Sequence, residues 1–277
     1  MTHAFTQVDV FTTTPLHGNP LAVVHAADAL SEAQMAAFLR WTNLSETSFL
    51  LTPSTPAADY RVRIFTPHRE LPFAGHPTLG SCHAWLAAGG VPRGDEVIQE
   101  CGVGLVRIQR DTQHGRLAFA APPLIRSGLV EPAVLTHIAR SLRIDASAIR
   151  ASQWVDNGPG WVAVMLASRD EVLALQPDFG AMRGLELGVI APWVGGDAQF
   201  EVRAFVPSLG VPEDPVTGSL NAGLAQWLIG SGQAPPSYVV SQGAALGRRG
   251  RVYVSRVGTD TWIGGHSVVC IDGRLQL

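Results

Sequence analysis

Apolar and polar residues alternate through Phe5-Thr6-Gln7-Val8-Asp9-Val10-Phe11, the period of a strand with one face buried. Gly18-Asn19-Pro20 turns the chain, and residues 21–24 predict a second strand. Ser31-Glu32-Ala33-Gln34 has the form of a capping box, with Met35, Phe38, Leu39 and Thr42 following at helical spacing. Strands are expected at 47–51 and 60–65, then a helix over 78–88 with one strongly apolar face, stopped by Gly89-Gly90. Short strands follow at 104–109 and 116–120, and Pro122-Pro123 opens a crossover reaching to Val130. Beyond it the pattern predicts a helix over 132–142, strands at 161–166 and 200–206, and a helix over 219–229. Short strands at 238–241, 251–255 and 264–271 complete the chain. Many short strands with one central apolar helix per half predict an α+β fold, each half a rolled, mostly antiparallel sheet around its helix.

The pattern repeats. Arg63-Ile64-Phe65-Thr66-Pro67, then Pro72-Phe73-Ala74-Gly75-His76-Pro77-Thr78-Leu79-Gly80, then an apolar run ending Trp85-Leu86, has a counterpart. The counterpart is Arg203-Ala204-Phe205-Val206-Pro207, then Pro212-Glu213-Asp214-Pro215-Val216-Thr217-Gly218-Ser219, then a run ending Trp227-Leu228, at an offset of 140 residues. An earlier pair, Asn19-Pro20 and Asn157-Gly158-Pro159, starts 138 apart. Solenoid repeats have periods of about 20–50 residues, so this spacing predicts a duplicated domain. The expected domains are 1–125 and 126–277, pseudo-symmetric, the last strands free to return to the first.

Composition narrows the function. The 277 residues are 46% hydrophobic and 16% charged, with net charge −3 and no Lys/Arg block to grip phosphates. A well-packed globular protein with no nucleic-acid partner is expected. The three cysteines are far apart and form no C-x-x-C pair, so neither a zinc ribbon nor a disulfide framework is indicated. The N-terminus lacks a basic start and apolar run, and the longest apolar stretch, 161–167, falls far short of the roughly 20 residues that span a bilayer. A cytoplasmic protein without a membrane partner is the expectation.

Candidate chemistry sits at the two repeated turns. Gly75-His76-Pro77-Thr78 and Asp214-Pro215-Val216-Thr217-Gly218-Ser219 each precede a helix, whose first N–H groups have no intrahelical partner and favour an anion. Each also reads as an ordinary capped start, with Thr78 as one cap and Thr217 or Ser219 as the other. Their matched positions favour ligand binding, because pseudo-symmetry aims both at the domain interface, where they suit a small carboxylate. Asn43-Leu44-Ser45-Glu46-Thr47-Ser48-Phe49 places a single acid between apolar flanks. Removed from water, Glu46 has a raised pKa and takes and returns a proton near neutral pH; in a solvated turn it does neither. Asp214 has no basic neighbour in sequence and suits a helix start. His76 and His83 lack a third ligand at metal spacing, so no metal is expected.

Four segments together resemble the phenazine biosynthesis (PhzF-like) isomerase family: Gly18-Asn19-Pro20-Leu21-Ala22-Val23, Ser45-Glu46-Thr47, Phe73-Ala74-Gly75-His76-Pro77-Thr78-Leu79-Gly80, and Glu213-Asp214-Pro215-Val216-Thr217-Gly218-Ser219. The resemblance implies two diaminopimelate-epimerase-type domains, cofactor-free proton transfer and a homodimer. Carried over by motif, Glu46 is the general acid/base. Asn19, Gly75, His76, Gly218 and Ser219 bind the substrate, and Asp214 holds or orients its amine. The epimerase relatives place a cysteine at each helix start; here no thiol stands there. A single evident base implies isomerisation of a small carboxylate-bearing substrate. The alternatives are an amino-acid epimerase, with His76 or Asp214 as second base, and a non-catalytic small-acid binder. Leu220-Asn221 stands where the family often has Ala-His, a departure that bears on substrate identity.

Overall fold

A computed structural model describes residues 1–277, the side chain of Leu209 excepted. The chain divides into two compact units: Met1–Ala120 with Gly264–Leu277, and Ala121–Ile263. The sequence pattern placed the division at 125/126. Ile125 and the short strand after it fall in the second unit, while the final strand returns to the first.

The first unit contains β1 (Thr2–Val10), β2 (Asn19–Val24), α1 (Glu32–Thr42), β3 (Thr47–Leu51), β4 (Tyr60–Phe65), β5 (Glu70–Leu71), α2 (Gly75–Ala87), β6 (Val97–Cys101), β7 (Gly104–Asp111) and β8 (Arg116–Ala120). β1 and β2 are antiparallel, β2 and β3 parallel across α1, and β3, β4 and β5 antiparallel in turn. After α2 the chain sets β6 parallel to β4 and adds β7 and β8 antiparallel. The Ser31–Gln34 capping box forms as the sequence predicts, starting α1 and directing Met35, Phe38 and Leu39 onto the sheet.

The second unit opens with β9 (Arg126–Gly128) and α3 (Pro132–Leu142). It continues with β10 (Ala151–Asp156), β11 (Trp161–Met165), α4 (Arg169–Ala174), β12 (Glu186–Pro192), β13 (Phe200–Val206), β14 (Val211–Asp214), α5 (Gly218–Gly230), β15 (Ser237–Gln242) and β16 (Gly250–Val257). Its pairings repeat those of the first unit. β10–β11 is antiparallel, β11–β12 parallel across α4, β12–β13–β14 antiparallel, and after α5 β15 lies parallel to β13. Even the register repeats at the offset of 140: Ala22 faces Thr47 as Val162 faces Leu187, and Phe49 faces Arg63 as Val189 faces Arg203. β17 (Asp260–Gly265) and β18 (Ser267–Gln276) end the chain. The sequence pattern read 264–271 as one strand. A break at His266, whose carbonyl accepts from Phe11 N–H at 2.7 Å, ends β17 and lets β18 pair with β1.

Each roll closes on its helix. α2 touches β1, β2, β3, β6, β8 and β18, and α5 touches β10, β11 and β16. Both helices are apolar nearly all round, as a helix enclosed by its own sheet must be. Close approach demands glycine at matched points. A Cβ on Gly80 would lie 2.6 Å from Leu21 Cδ2, and one on Gly223 would lie 2.2 Å from the Val155 carbonyl oxygen. A leucine methyl can yield, but a strand carbonyl cannot without moving the ladder. Gly223→Ala is therefore expected to destabilise by about 1–3 kcal/mol, more than Gly80→Ala, in urea unfolding followed by circular dichroism. Equal midpoints for the two variants would contradict this packing argument.

Candidate active site

In the first unit the fold gathers three of the candidate side chains. Glu46 lies between the left-handed Asn43 that ends α1 and the first residue of β3. Asn19 begins β2, the strand parallel to β3, and His76 is the second residue of α2. Asn19 Nδ2 donates to His76 Nδ1 at 3.4 Å. An amide nitrogen only donates, so Nδ1 accepts and the ring proton belongs to Nε2. Nε2 faces Glu46 Oε2 at 3.6 Å.

Burial decides the character of Glu46. The side chain keeps 17% exposure, but Oε2 itself is withdrawn from solvent and accepts no hydrogen bond from a protein group. Loss of water raises its pKa from 4.5 to about 7, against a smaller opposing effect of the Ser45 hydrogen bond. A carboxyl poised there is populated in both forms at neutral pH. Next to it, α2 starts at Gly75 with Ala74 in the N-cap position and no side chain capping it. The sequence expectation of Thr78 as cap fails. Pro77 fits inside the first turn, where no N–H is needed, and Thr78 is buried with its Oγ1 accepting from Gln99 Nε2 at 3.1 Å. Gly75 and His76 thus form a buried, side-chain-uncapped helix end, the arrangement that an anion satisfies.

The second unit repeats the helix end without the glutamate–histidine pair. α5 starts at Gly218 with Thr217 in the N-cap position, again with no side-chain cap. Thr217 Oγ1 instead donates to Asp214 Oδ2 at 2.5 Å. Asp214 closes β14 rather than opening the helix, so its expected placement at the helix start is corrected. Ser219 Oγ accepts from Trp161 Nε1 at 3.0 Å, and its carbonyl accepts from Asn157 Nδ2 at 2.8 Å. Gln242, Asn221, Asn157 and Trp161 escaped the residue-by-residue reading as site residues. Asn157 carried a signal as a landmark of the internal repeat, and Asn221 as a departure from the family pattern.

No cysteine stands at the start of either helix. Cys82 is buried in α2 with its thiol pushed up to about 12 by burial, and Cys101 and Cys270 are raised for the same reason. Among the described residues, no helix is long and apolar enough to cross a membrane.

The duplicated α+β roll thus places one desolvated glutamate beside a helix end. Residues 8–273 match the family model of the phenazine biosynthesis-like proteins. "Antisense-enhancing sequence 1" of Schizosaccharomyces pombe is 36% identical, covering 98% of each chain. Trans-2,3-dihydro-3-hydroxyanthranilate isomerase of Pseudomonas fluorescens is 34% identical over 92% of this chain and 91% of its own. The crystal structure of a PhzF-family phenazine biosynthesis protein from Enterococcus faecalis superposes with a TM-score of 0.83 at 26% identity, covering 100% of both chains. The chain belongs to the phenazine biosynthesis-like (PhzF) family, and it is an isomerase.

Proposed function

We propose that this isomerase moves a proton between carbons of a small carboxylate-bearing substrate, with Glu46 as general acid/base and no cofactor. The observation that carries the reading is the Glu46 carboxyl, its Oε2 out of water and its pKa near 7, facing His76 at 3.6 Å. In this mechanism the carboxylate removes a proton from a carbon activated by a neighbouring carboxylate or double bond. The negative charge spreads through the conjugated system and is stabilised by N–H donors of the helix end and by His76 Nε2–H. Protonated Glu46, whose side chain keeps enough exposure for its proton to exchange with solvent, then delivers a proton to another carbon. Asn19, Gly75, His76, Asp214, Gly218 and Ser219 are the substrate-binding residues of this reading.

The name of the Pseudomonas fluorescens relative supplies the substrate class: a partly reduced ring carrying carboxylate, amine and hydroxyl groups. A cytoplasmic homodimer, implied by the family resemblance, completes the proposal. The test incubates the protein with trans-2,3-dihydro-3-hydroxyanthranilate and with a panel of small cyclic amino acids in deuterium oxide. Double-bond migration with solvent deuterium at the new position is the expected result. Interconversion of enantiomers in the panel would instead identify an epimerase, and binding with no C–H exchange a non-catalytic acid binder.

A further inference from the structure

At the start of α5 one buried side chain dictates how every neighbour hydrogen-bonds. The Thr217 backbone N–H donates to Gln242 Oε1 at 3.0 Å, and a main-chain N–H cannot reverse its role. That fixes which end of the Gln242 amide is oxygen. Its Nε2 therefore donates, to Thr217 Oγ1 at 2.9 Å and to the Asp214 carbonyl at 3.2 Å. The Thr217 hydroxyl, already accepting one hydrogen, spends its own proton on Asp214 Oδ2 at 2.5 Å. Asn221 Nδ2 donates to the remaining lone pair of Gln242 Oε1 and to the Thr217 carbonyl, both at 2.9 Å. Gln242 thus uses its full capacity, two hydrogens given and two accepted. Gln242 and Asn221 are each 1% exposed, so water cannot replace a lost partner.

We propose that Gln242 is a positioning residue of the substrate site. It aligns the Thr217 hydroxyl as the donor to Asp214 Oδ2, which fixes the orientation in which the Asp214 carboxyl meets a hydrogen-bond donor on the substrate. The donor is an amine, so the substrate class narrows to acids that also carry one. This inference rests on the reading of Asp214 as a substrate-binding residue. It also accounts for Asn221, the departure noted in the sequence: its amide holds Gln242 and the Thr217 carbonyl in place.

Gln242→Glu and Gln242→Leu separate positioning from simple helix capping. When ionised, the carboxylate introduced by Gln242→Glu has no hydrogen to give, so the Thr217 hydroxyl turns toward it and abandons Asp214. When protonated, the new carboxyl donates to Thr217 Oγ1 and restores the original order of donors. Calorimetric binding of anthranilate and benzoate, which differ only by the amine, reads the effect directly. The wild-type chain is expected to prefer anthranilate on the order of tenfold. Gln242→Glu is expected to lose the preference at pH 8 and regain it toward pH 6, while Gln242→Leu loses it at both. A preference that persists at pH 8 in both Gln242 variants, while Asp214→Asn abolishes it, overturns the positioning role alone. No preference in the wild-type chain, or a preference that survives Asp214→Asn, overturns the Asp214 reading on which it rests.

Discussion

Replacing Glu46 by glutamine is expected to cut turnover by about 10²–10⁴-fold while raising stability above neutral pH. Glutamine keeps the shape but neither takes nor returns a proton, so the loss belongs in kcat rather than KM. The stability change follows from linkage. The folded-state pKa of Glu46 is raised from 4.5 to about 7, so the folded chain holds a proton that the unfolded chain has lost between those values. Its contribution is fully favourable below pH 4.5, declines as pH rises, and is lost above about 7. An uncharged amide has no such penalty. Glu46→Gln should therefore gain stability relative to wild type between pH 5 and pH 8, by on the order of 2 kcal/mol. In the wild-type enzyme, kcat/KM should rise with pH through an apparent pKa near 7, since the free enzyme must present the carboxylate. A variant that turns over at the wild-type rate, or one whose relative stability is flat across pH, would remove Glu46 from the mechanism.

The opposition between the two effects is the physical signature of a functional group. A solvated carboxylate at the end of α1 would cost the fold nothing and would also stay ionised at neutral pH. In the proposed mechanism, burying it beside His76 sacrifices stability for a proton that can leave and return. The sequence showed this acid alone among apolar flanks, which left burial and exposure equally open. What settles the matter is the parallel register of β2 and β3 and the uncapped start of α2, all set by contacts distant in sequence.

Elements with a clear local signal were legible: α1 from its capping box, α3 from Pro132 at its first turn, β1 from alternation and β4 from its β-forming residues. Others gave weak signals. β12 is interrupted by Gly188 and ends in Pro192, both of which look like turn residues in one dimension. α4 spans only six residues, too few for a helical period to register. β10 starts Ala151-Ser152-Gln153, half-buried positions of mixed polarity, and its strand character comes from pairing with β9 and β11. Gln242 illustrates the same limit at the site. It sits at the end of an ordinary strand, and only the fold brings it to Thr217 and Asp214.

The duplication itself supplies the second large effect, because it places one ion pair in two environments. Arg63 pairs with Glu70 at 2.5 Å and Arg203 with Glu213 at 2.7 Å, each arginine also lying over a phenylalanine, Phe65 or Phe205, at 5.1 and 4.9 Å from the ring centre. The registers agree too, Phe65 facing Glu70 and Phe205 facing Glu213. Exposure differs: the side chains of the first pair are 21% and 36% exposed, those of the second 6% and 7%. Glu213→Ala is expected to destabilise by about 3–5 kcal/mol, since it strands a buried guanidinium. The other bonds of Arg203 run to the carbonyls of Val172 and Leu175 and do not neutralise its charge. Glu70→Ala should cost about 0–1 kcal/mol, because water reaches Arg63 and Glu32 remains bound to it at 2.9 Å. Salt sharpens the contrast, since about 1 M sodium chloride screens the exposed pair and leaves the buried one nearly untouched. Chemical unfolding of the two variants with and without salt measures both differences. Equal losses would mean that internal symmetry, rather than burial, sets the strength of the pair.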